Sequence, residues 1–206
     1  MDILGYEVRL LYIILGAILL AFLAFLSYLS RSGLFYTVTL RFSCPTPDVM
    51  PQKVAYIMAK GSYKHAGLLV RQTMDLMKDG KVFALYYDDP EKVPQSELQY
   101  LVGCMLPTQS EVLADHMDNS GYTIHTFPPC SNALITEYPN YTGISLFLAN
   151  WRIFPEINRM MAKRKHEEFP VIEVYTSTYI KYIVPVDNMA KFYVPGVKRR
   201  LKTHVE

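Results

Sequence analysis

The sequence lacks the residue patterns of the common catalytic and metal sites. Its three cysteines, Cys44, Cys104 and Cys130, form no CxxC motif, and its five histidines fall in no metal-ligand spacing. It has no GxSxG motif, phosphate-binding loop or dinucleotide fingerprint. We therefore predict no metal centre and no cofactor, and we expect a protein that is not an enzyme.

Neither sign of charge is in excess. The sequence has 21 basic and 19 acidic residues, a formal net charge of +2 at pH 7. Binding to nucleic acid usually requires a clear excess of basic residues, so we expect no direct contact with DNA or RNA. Aromatic residues are abundant, above all 16 tyrosines, and these are typical of strands and of the walls of binding pockets.

The longest uncharged segment, residues 10–30, lies between Arg9 and Arg31. As a helix rising ~1.5 Å per residue, it would cover the ~30 Å hydrocarbon core of a bilayer. It is longer than the apolar core of a signal peptide, and the residues before it include Asp2 and Glu7. We predict an uncleaved signal anchor, and a cleaved signal peptide is the alternative.

The residues around this segment favour a cytosolic position for the rest of the chain. Arg31 and Arg41 follow it and a single arginine precedes it, and the more basic side of a span faces the cytosol. The odd number of cysteines agrees with a reducing compartment. The sequon Asn140-Tyr141-Thr142 opposes this orientation, because it would be used only in the lumen. We predict that residues 1–34 form a lumenal N-terminus and a membrane anchor.

Prolines and hydrophobic periodicity predict the organisation of the remaining chain. Pro45, Pro47 and Pro51 predict a stiff linker over residues 35–52, followed by one domain over residues 53–196 and a basic tail over 197–206. In the domain, periodicity and turn residues predict two successive β-α-β-β units. The first unit comprises a strand, 53–60, a helix, 64–77, and two strands, 82–87 and 98–106. A helix, 108–119, and a strand, 123–127, connect it to the second unit. The second unit comprises a strand, 133–138, a helix that restarts at Pro155 and ends at Arg164, and two strands, 171–175 and 179–186.

The second long helix begins with four apolar residues at helical spacing, Ile144, Phe147, Leu148 and Trp151. We expect this face to pack on the sheet. Two β-α-β-β units predict an α+β fold with one antiparallel sheet and the helices on one face. The other face of the sheet would then be a concave surface suited to a ligand.

The first strand after this helix contains the candidate ligand-binding residues. Because side chains alternate along a strand, Ile172 and Val174 share one side, and Glu173 and Tyr175 share the other. If the apolar pair faces the helices, Glu173 and Tyr175 point into the concave surface, where the repeat also places Tyr86. A carboxylate among tyrosine rings suits an organic cation. The alternative is a solvent-exposed glutamate with rim tyrosines on a half-buried sheet.

Several motifs resemble those of known families. The doubled unit, Val171-Ile172-Glu173-Val174-Tyr175 and Tyr182-Ile183-Val184-Pro185 resemble the GyrI-like domain, a small-molecule-binding fold. Over nearly its whole length the sequence resembles the animal testis-expressed ER-phagy receptor family. This resemblance rests on the N-terminal apolar segment and on Tyr86-Tyr87-Asp88-Asp89-Pro90, Val93-Pro94, Val102-Gly103, Tyr141-Thr142, Pro155 and Phe192-Tyr193-Val194-Pro195.

The resemblance implies a single-pass protein of the endoplasmic reticulum (ER) with a cytosolic GyrI-like domain. It implies a receptor or adaptor that links ER to autophagosomes, with a second location at the nuclear envelope. The implied partners are the ER membrane, ubiquitin-like autophagy modifiers of the GABARAP type, and a valosin-containing AAA ATPase that acts in the repair of DNA-protein crosslinks.

In that family the modifier-binding motif lies in a long disordered tail, whereas this sequence ends about ten residues after the predicted domain. The internal match is at residues 167–172, where Phe169 and Ile172 follow two acidic residues at the spacing used for strand addition to a modifier. The alternative is an ordinary domain edge, because these residues begin a predicted core strand. A further tail or a partner would then have to supply the motif.

Two other functions remain open at the level of sequence. One is a membrane-anchored sensor that binds a small molecule and has no role in autophagy. The other is a small-molecule hydrolase in which Glu173, with its pKa raised by an apolar pocket, acts as general acid or base.

Overall fold

A computed structural model shows the fold and describes residues 3–46, 50, 52–77, 80–107, 110–166 and 168–200. The helices are α1 (Ile3–Arg31), α2 (Ala66–Leu76), α3 (Glu111–Asn119) and α4 (Ser145–Lys163). The strands are β1 (Arg41–Ser43), β2 (Lys53–Lys60), β3 (Val82–Tyr86), β4 (Gln99–Met105), β5 (Thr123–Thr126), β6 (Ala133–Pro139), β7 (Val171–Tyr175) and β8 (Tyr179–Pro185). Short 3-10 turns occur at Tyr63–His65 and Met189–Phe192.

The eight strands form one antiparallel sheet in the order β1-β6-β8-β7-β3-β4-β2-β5. The predicted α+β fold and its two β-α-β-β units are confirmed: β2-α2-β3-β4 forms one half and β6-α4-β7-β8 the other. The predicted first helix is shorter than expected, because its first turn is the 3-10 turn at Tyr63–His65. The predicted start of the connecting helix, Thr108, lies outside the described residues, and α3 follows Ser110, whose hydroxyl accepts from the Leu113 N–H.

The two halves meet where β3 pairs with β7. Ala84, in the middle of β3, lies directly opposite Glu173, in the middle of β7. At the two ends of the pairing, Tyr86 lies opposite Val171 and Val82 lies opposite Tyr175. Ala84 and Glu173 also occupy equivalent positions of the two repeats. The approximate twofold axis of the domain therefore passes between these two residues.

Three helices cover one face of the sheet. Val70 of α2 and Ile153 of α4 pack with Val82, Ala84 and other residues of the same strand faces. Cys104 lies on the same side of β4 as Val102 and packs against α3 residues. The predicted placement of the helices on one face is therefore what the structure shows.

The opposite face is not the open concave surface that we expected from the sequence. Phe83, Leu85, Ile172 and Val174 point to this side. The segments that cover them contribute Met50, Phe127, Cys130, Phe192 and Val194, each at most 7% exposed. Because both faces of β3 and β7 are buried, these strands read as nearly continuous apolar runs.

The helix α4 differs from its prediction in two ways. It continues through Pro155, which the sequence predicted as the start of a second helix, and Pro155 lies on its exposed side. The predicted buried face was wrong for Phe147 and Trp151, which are 72% and 66% exposed. The side that packs on the sheet is a neighbouring stripe formed by Ser145, Leu148, Ala149, Ile153, Ile157 and Met161.

The N-terminal helix is long and apolar enough to cross a membrane. Its segment Arg9–Arg31 has a mean hydropathy of 2.7, and none of it is buried against the domain. Within the described residues this is the one helix with that character. The predicted single span therefore corresponds to a single exposed helix, which is compatible with a membrane-anchored protein.

The chain after α1 joins the domain without a free linker. The Tyr138 hydroxyl donates to the Gly33 carbonyl (2.6 Å), and Arg152 Nη1 donates to the carbonyls of Gly33 (3.0 Å) and Leu34 (2.7 Å). The Thr142 hydroxyl donates to the Ser32 hydroxyl (2.6 Å). The segment predicted as a linker, 35–52, contains β1. Five of its side chains pack on the core, namely Tyr36, Val38, Leu40, Phe42 and Met50, and so does Leu34, which precedes the segment.

The predicted basic tail begins as part of the domain. The Lys198 N–H donates to Gln99 Oε1 (2.9 Å), and Gln99 Nε2 donates to the Lys198 carbonyl (3.0 Å). Arg200 pairs with Glu97 Oε2 (2.8 Å) and Asp88 Oδ1 (3.3 Å). Residues up to 200 are thus fixed beside β4, and 201–206 lie outside the described residues.

Replacing Gly103 tests the close approach of β2 and β4. A Cβ atom at Gly103 would lie 2.0 Å from the Ala55 carbonyl oxygen, so the two strands would have to separate. We expect Gly103→Ala to lower the free energy of unfolding by about 2 kcal/mol or more, measured by chemical denaturation of the full chain in detergent. The control is Gly67→Ala, where a Cβ would meet nothing within 4 Å, and where we expect no loss because alanine favours the helix. Equal stability of both variants would contradict the close approach.

Candidate functional site

Glu173 lies at the centre of the sheet and faces the helices. It is 1% exposed, with Ala84 opposite it on β3 and Tyr182 opposite it on β8. Its neighbour Tyr175 packs among the helix-side residues, whereas Ile172 packs on the other side. The predicted facing was therefore wrong: the apolar pair points away from the helices, and Glu173 and Tyr175 point toward them.

Two phenols bind the Glu173 carboxyl group. The Tyr175 hydroxyl donates to Glu173 Oε2 at 2.5 Å, and the Tyr86 hydroxyl forms a second hydrogen bond to the carboxyl group. The two tyrosines occupy equivalent positions of the repeats, on the side of the sheet that Glu173 shares. The structure thus brings together all three residues that the sequence analysis proposed as ligand-binding.

Burial decides the ionisation of this group. Removal from water raises the pKa of Glu173 to about 7, although the hydrogen bonds from Tyr175 and Tyr86 act in the opposite direction. Burial and the nearby carboxyl group also raise the pKa values of Tyr86, Tyr175 and Tyr182 well above the ordinary value of tyrosine. The phenols are therefore neutral donors, and the carboxyl group is poised to exchange a proton near neutral pH.

Further aromatic residues extend the cluster beyond those chosen from the sequence. The ring of Tyr63 packs edge-on against Tyr86 at 4.7 Å and against Tyr100 at 5.5 Å, centroid to centroid. The Tyr63 hydroxyl donates to the Asp88 carbonyl (2.8 Å), which fixes the ring in place. Sequence reasoning missed Tyr63, because it lies in a 3-10 turn and follows no strand periodicity.

On the side of α4, Tyr182 closes the cluster. Its hydroxyl donates to Asn150 Oδ1 (3.1 Å), and Phe154 packs edge-on against its ring at 6.1 Å. Sequence reasoning missed Tyr182 as well. Tyr182 lies directly opposite Glu173 on the neighbouring strand. Assuming that the last two strands pair in the antiparallel direction would therefore have identified it.

This arrangement can bind a cation or hold a proton, but it is closed. Glu173, Tyr175 and Tyr182 are each at most 8% exposed. Two surface cavities lie elsewhere: one of about 380 Å³ beside the end of α1, and one of about 610 Å³ beside α3. Access to Glu173 therefore requires side chains of the helix layer to move.

The segment proposed as a modifier-binding motif lies inside the sheet. Ile172 is fully buried and pairs with Leu85 on one side and Ile183 on the other, and Phe169 packs partly buried against the helix-side core. Glu167, the first acidic residue of this segment, lies outside the described residues. Because both edges of β7 are already paired, no modifier can add a strand here while the domain is folded.

These features define a class: an α+β domain of two repeats, with a buried glutamate at their axis, joined to one exposed apolar helix. No family model matches the chain. The chain is similar to testis-expressed protein 264 of Homo sapiens, with 29% identity over 196 residues, which cover 93% of this chain and 62% of that protein. It is 31% identical over 176 residues to the testis-expressed protein 264 homolog of Mus musculus, covering 84% of this chain and 56% of that protein.

These similarities support homology between the chain and the animal testis-expressed proteins. The chain spans less than two thirds of the length of both relatives. Among solved structures, a hydrolase from Listeria innocua covers 77% of this chain and 97% of its own, with a TM-score of 0.39 and 8% identity. A likeness this weak carries no argument about fold family or activity.

The buried carboxyl group makes a testable contribution to stability. Its pKa in the folded state, about 7, is above the unfolded value of ~4.3. The folded protein therefore holds this proton more tightly, and the resulting stabilisation is complete below the unfolded pKa and is lost as the pH rises to 7. Between pH 5 and pH 8, we expect the free energy of unfolding of the wild type to fall by roughly 2–3 kcal/mol relative to Glu173→Gln.

The measurement is chemical denaturation of both proteins at several pH values. Taking the difference between them removes the contribution of other titrating groups, such as His125, whose pKa burial lowers. A difference that does not change with pH would show that Glu173 does not titrate in this range.

Proposed function

We propose that the chain is a single-pass ER membrane adaptor whose cytosolic domain links ER to autophagosomes. The observation that carries the proposal is the exposed apolar helix joined directly to a folded domain, in a chain similar to the testis-expressed proteins. The resemblance of its motifs to the ER-phagy receptor family supports the role in ER turnover. Charge and cysteine content support the cytosolic orientation.

The proposed partners are GABARAP-type modifiers and a valosin-containing AAA ATPase, the latter in repair of DNA-protein crosslinks at the nuclear envelope. Because β7 is paired on both edges, we assign the modifier contact to a motif outside the folded domain, supplied by a partner or by a further segment. We propose no catalytic step for Glu173 and no direct contact with nucleic acid.

Topology is the first test of this function. In microsomes that contain the chain with a C-terminal tag, we expect added protease to digest the domain, because it faces the cytosol. The sequon at Asn140 should then carry no glycan, so that Asn140→Gln migrates like the wild type. A protected domain with a glycan at Asn140 would exclude the adaptor function.

With the topology established, starvation should cause lysosome-dependent loss of the tagged chain together with ER, and stable levels under starvation would count against a role in ER turnover.

A second candidate function is a membrane-anchored sensor of organic cations. The specific observation is a carboxyl group that accepts hydrogen bonds from Tyr175 and Tyr86, with the ring of Tyr63 packed against the ring of Tyr86. A cation site of this kind combines a negative charge with aromatic rings. Binding would require the helix layer to open, since Glu173 is 1% exposed.

Thermal denaturation of the full chain with benzyltrimethylammonium tests the sensor. Because the carboxylate is the binding form, the apparent affinity should fall about tenfold from pH 8 to pH 6, across the pKa of about 7. Glu173→Gln should abolish the shift in melting temperature, and Glu137→Gln, an exposed glutamate on β6, should keep it. A shift that survives in Glu173→Gln would place the cation elsewhere.

A further inference from the structure

Four aromatic side chains are largely exposed in the described part of the chain after α1. They are Phe35 (69%), Tyr141 (57%), Phe147 (72%) and Trp151 (66%). Single exposed apolar side chains are ordinary on protein surfaces. The position of these four is not ordinary, because each belongs to a segment that contacts the end of the apolar helix.

Two of the four lie at the end of α1 itself. Phe35 and Tyr141 line the 380 Å³ cavity together with Ser30 and Arg31, the last residues of α1. Four residues of extended chain cover at most ~14 Å, so Phe35 stays within that distance of Arg31. If the apolar segment spans a bilayer, both rings lie near the level of the lipid headgroups.

The other two lie on the first two turns of α4, which is fixed to the same place. Thr142, three residues before α4, bonds Ser32, and Arg152 bonds the carbonyls of Gly33 and Leu34. Trp151 is the neighbour of Arg152 in sequence, and Phe147 lies one turn before Trp151, about 6 Å along the axis. The two exposed side chains, four residues apart on one face of α4, thus lie within two turns of Arg152, which bonds the chain just after α1.

We infer that Phe35, Tyr141, Phe147 and Trp151 are a membrane-docking surface that inserts into the headgroup region of the bilayer crossed by α1. Tryptophan and tyrosine favour this region because their rings combine apolar faces with a polar group. The lipid surface is the occupant favoured by the structure, because the surface is continuous with the apolar helix and is held to it by hydrogen bonds. The inference rests on the membrane anchor in the proposed function and adds a fixed orientation of the domain on the membrane.

The sequence supplies its own probe, because Trp151 is the single tryptophan. The experiment uses the full chain in phosphatidylcholine nanodiscs, with or without bromine atoms near the top of the acyl chains, which quench nearby indoles. For an indole at headgroup level, we expect about a twofold loss of Trp151 emission in brominated discs. Phe147→Ser should reduce this quenching, whereas Val112→Ser, at an 83% exposed position on α3, should not.

Two relocated probes separate the docking surface from the anchor. Combined with Trp151→Phe, Val112→Trp places the indole on α3, which packs against β2 and β5 at the far edge of the sheet, and we expect no quenching there. Phe25→Trp in the same background places it on α1 at an exposed position, about 9 Å along the helix from Arg31, where quenching is expected if the helix spans. Quenching at position 25 without quenching at Trp151 overturns the docking surface and leaves the anchor intact. If neither the probe in α1 nor Trp151 is quenched, both the membrane anchor and the docking surface are overturned. If Val112→Trp is quenched as strongly as Trp151, the four aromatic residues are not a specific docking surface.

Discussion

The pairing of β3 with β7 is the contact on which the domain depends. It joins two β-α-β-β units through five residue pairs centred on Ala84 and Glu173. Neither unit could bury both faces of β3 or β7 alone, because each of these strands lies at the edge of its own unit and the core clusters on both faces draw residues from both halves. The repeat axis therefore passes through the most buried part of the sheet.

A single carboxyl group at this axis has a physical explanation in the repeat. Ala84 and Glu173 are equivalent positions that face each other, so a glutamate in both repeats would place two carboxylates side by side, and their repulsion would be large in a buried site. Alanine in one repeat removes that repulsion and leaves space for the other side chain. The paired tyrosines, Tyr86 and Tyr175, are retained in both repeats, and their two hydroxyls serve one acceptor.

The sequence predicted the number, type and order of the domain's main elements, because strand and helix periods and turn residues are local signals. It predicted the wrong side for Glu173. In a strand buried on both faces, a two-residue period separates two sets of side chains but does not say which set meets the helices. Ile172 and Val174 are as apolar as a helix-facing pair would be, and they pack instead beneath Phe192 and Val194.

The error in α4 has a different origin. Phe147 and Trp151 have the spacing of a buried face, and hydrophobic periodicity alone identifies an apolar stripe without saying what covers it. The true core stripe, which includes Leu148, Ala149 and Ile153, lies directly beside it, so the first half of the helix is apolar over a wide arc. Tyr63 and the hydrogen bonds to Gly33 could not be predicted, because they depend on contacts between segments far apart in sequence.

The direct junction between α1 and the domain restricts where a partner can bind. A flexible linker would let every surface of the domain turn away from the anchor, but the carbonyls of Gly33 and Leu34 are held by Tyr138 and Arg152. The strand β6, next to the edge strand β1, must then stay close to the end of α1, whereas β5 at the opposite edge lies six strand spacings away from β6, about 29 Å. If α1 spans a membrane, the surface around α3 and β5 is the part of the domain held farthest along the sheet from the anchor, and a large partner can approach it without meeting the lipid headgroups.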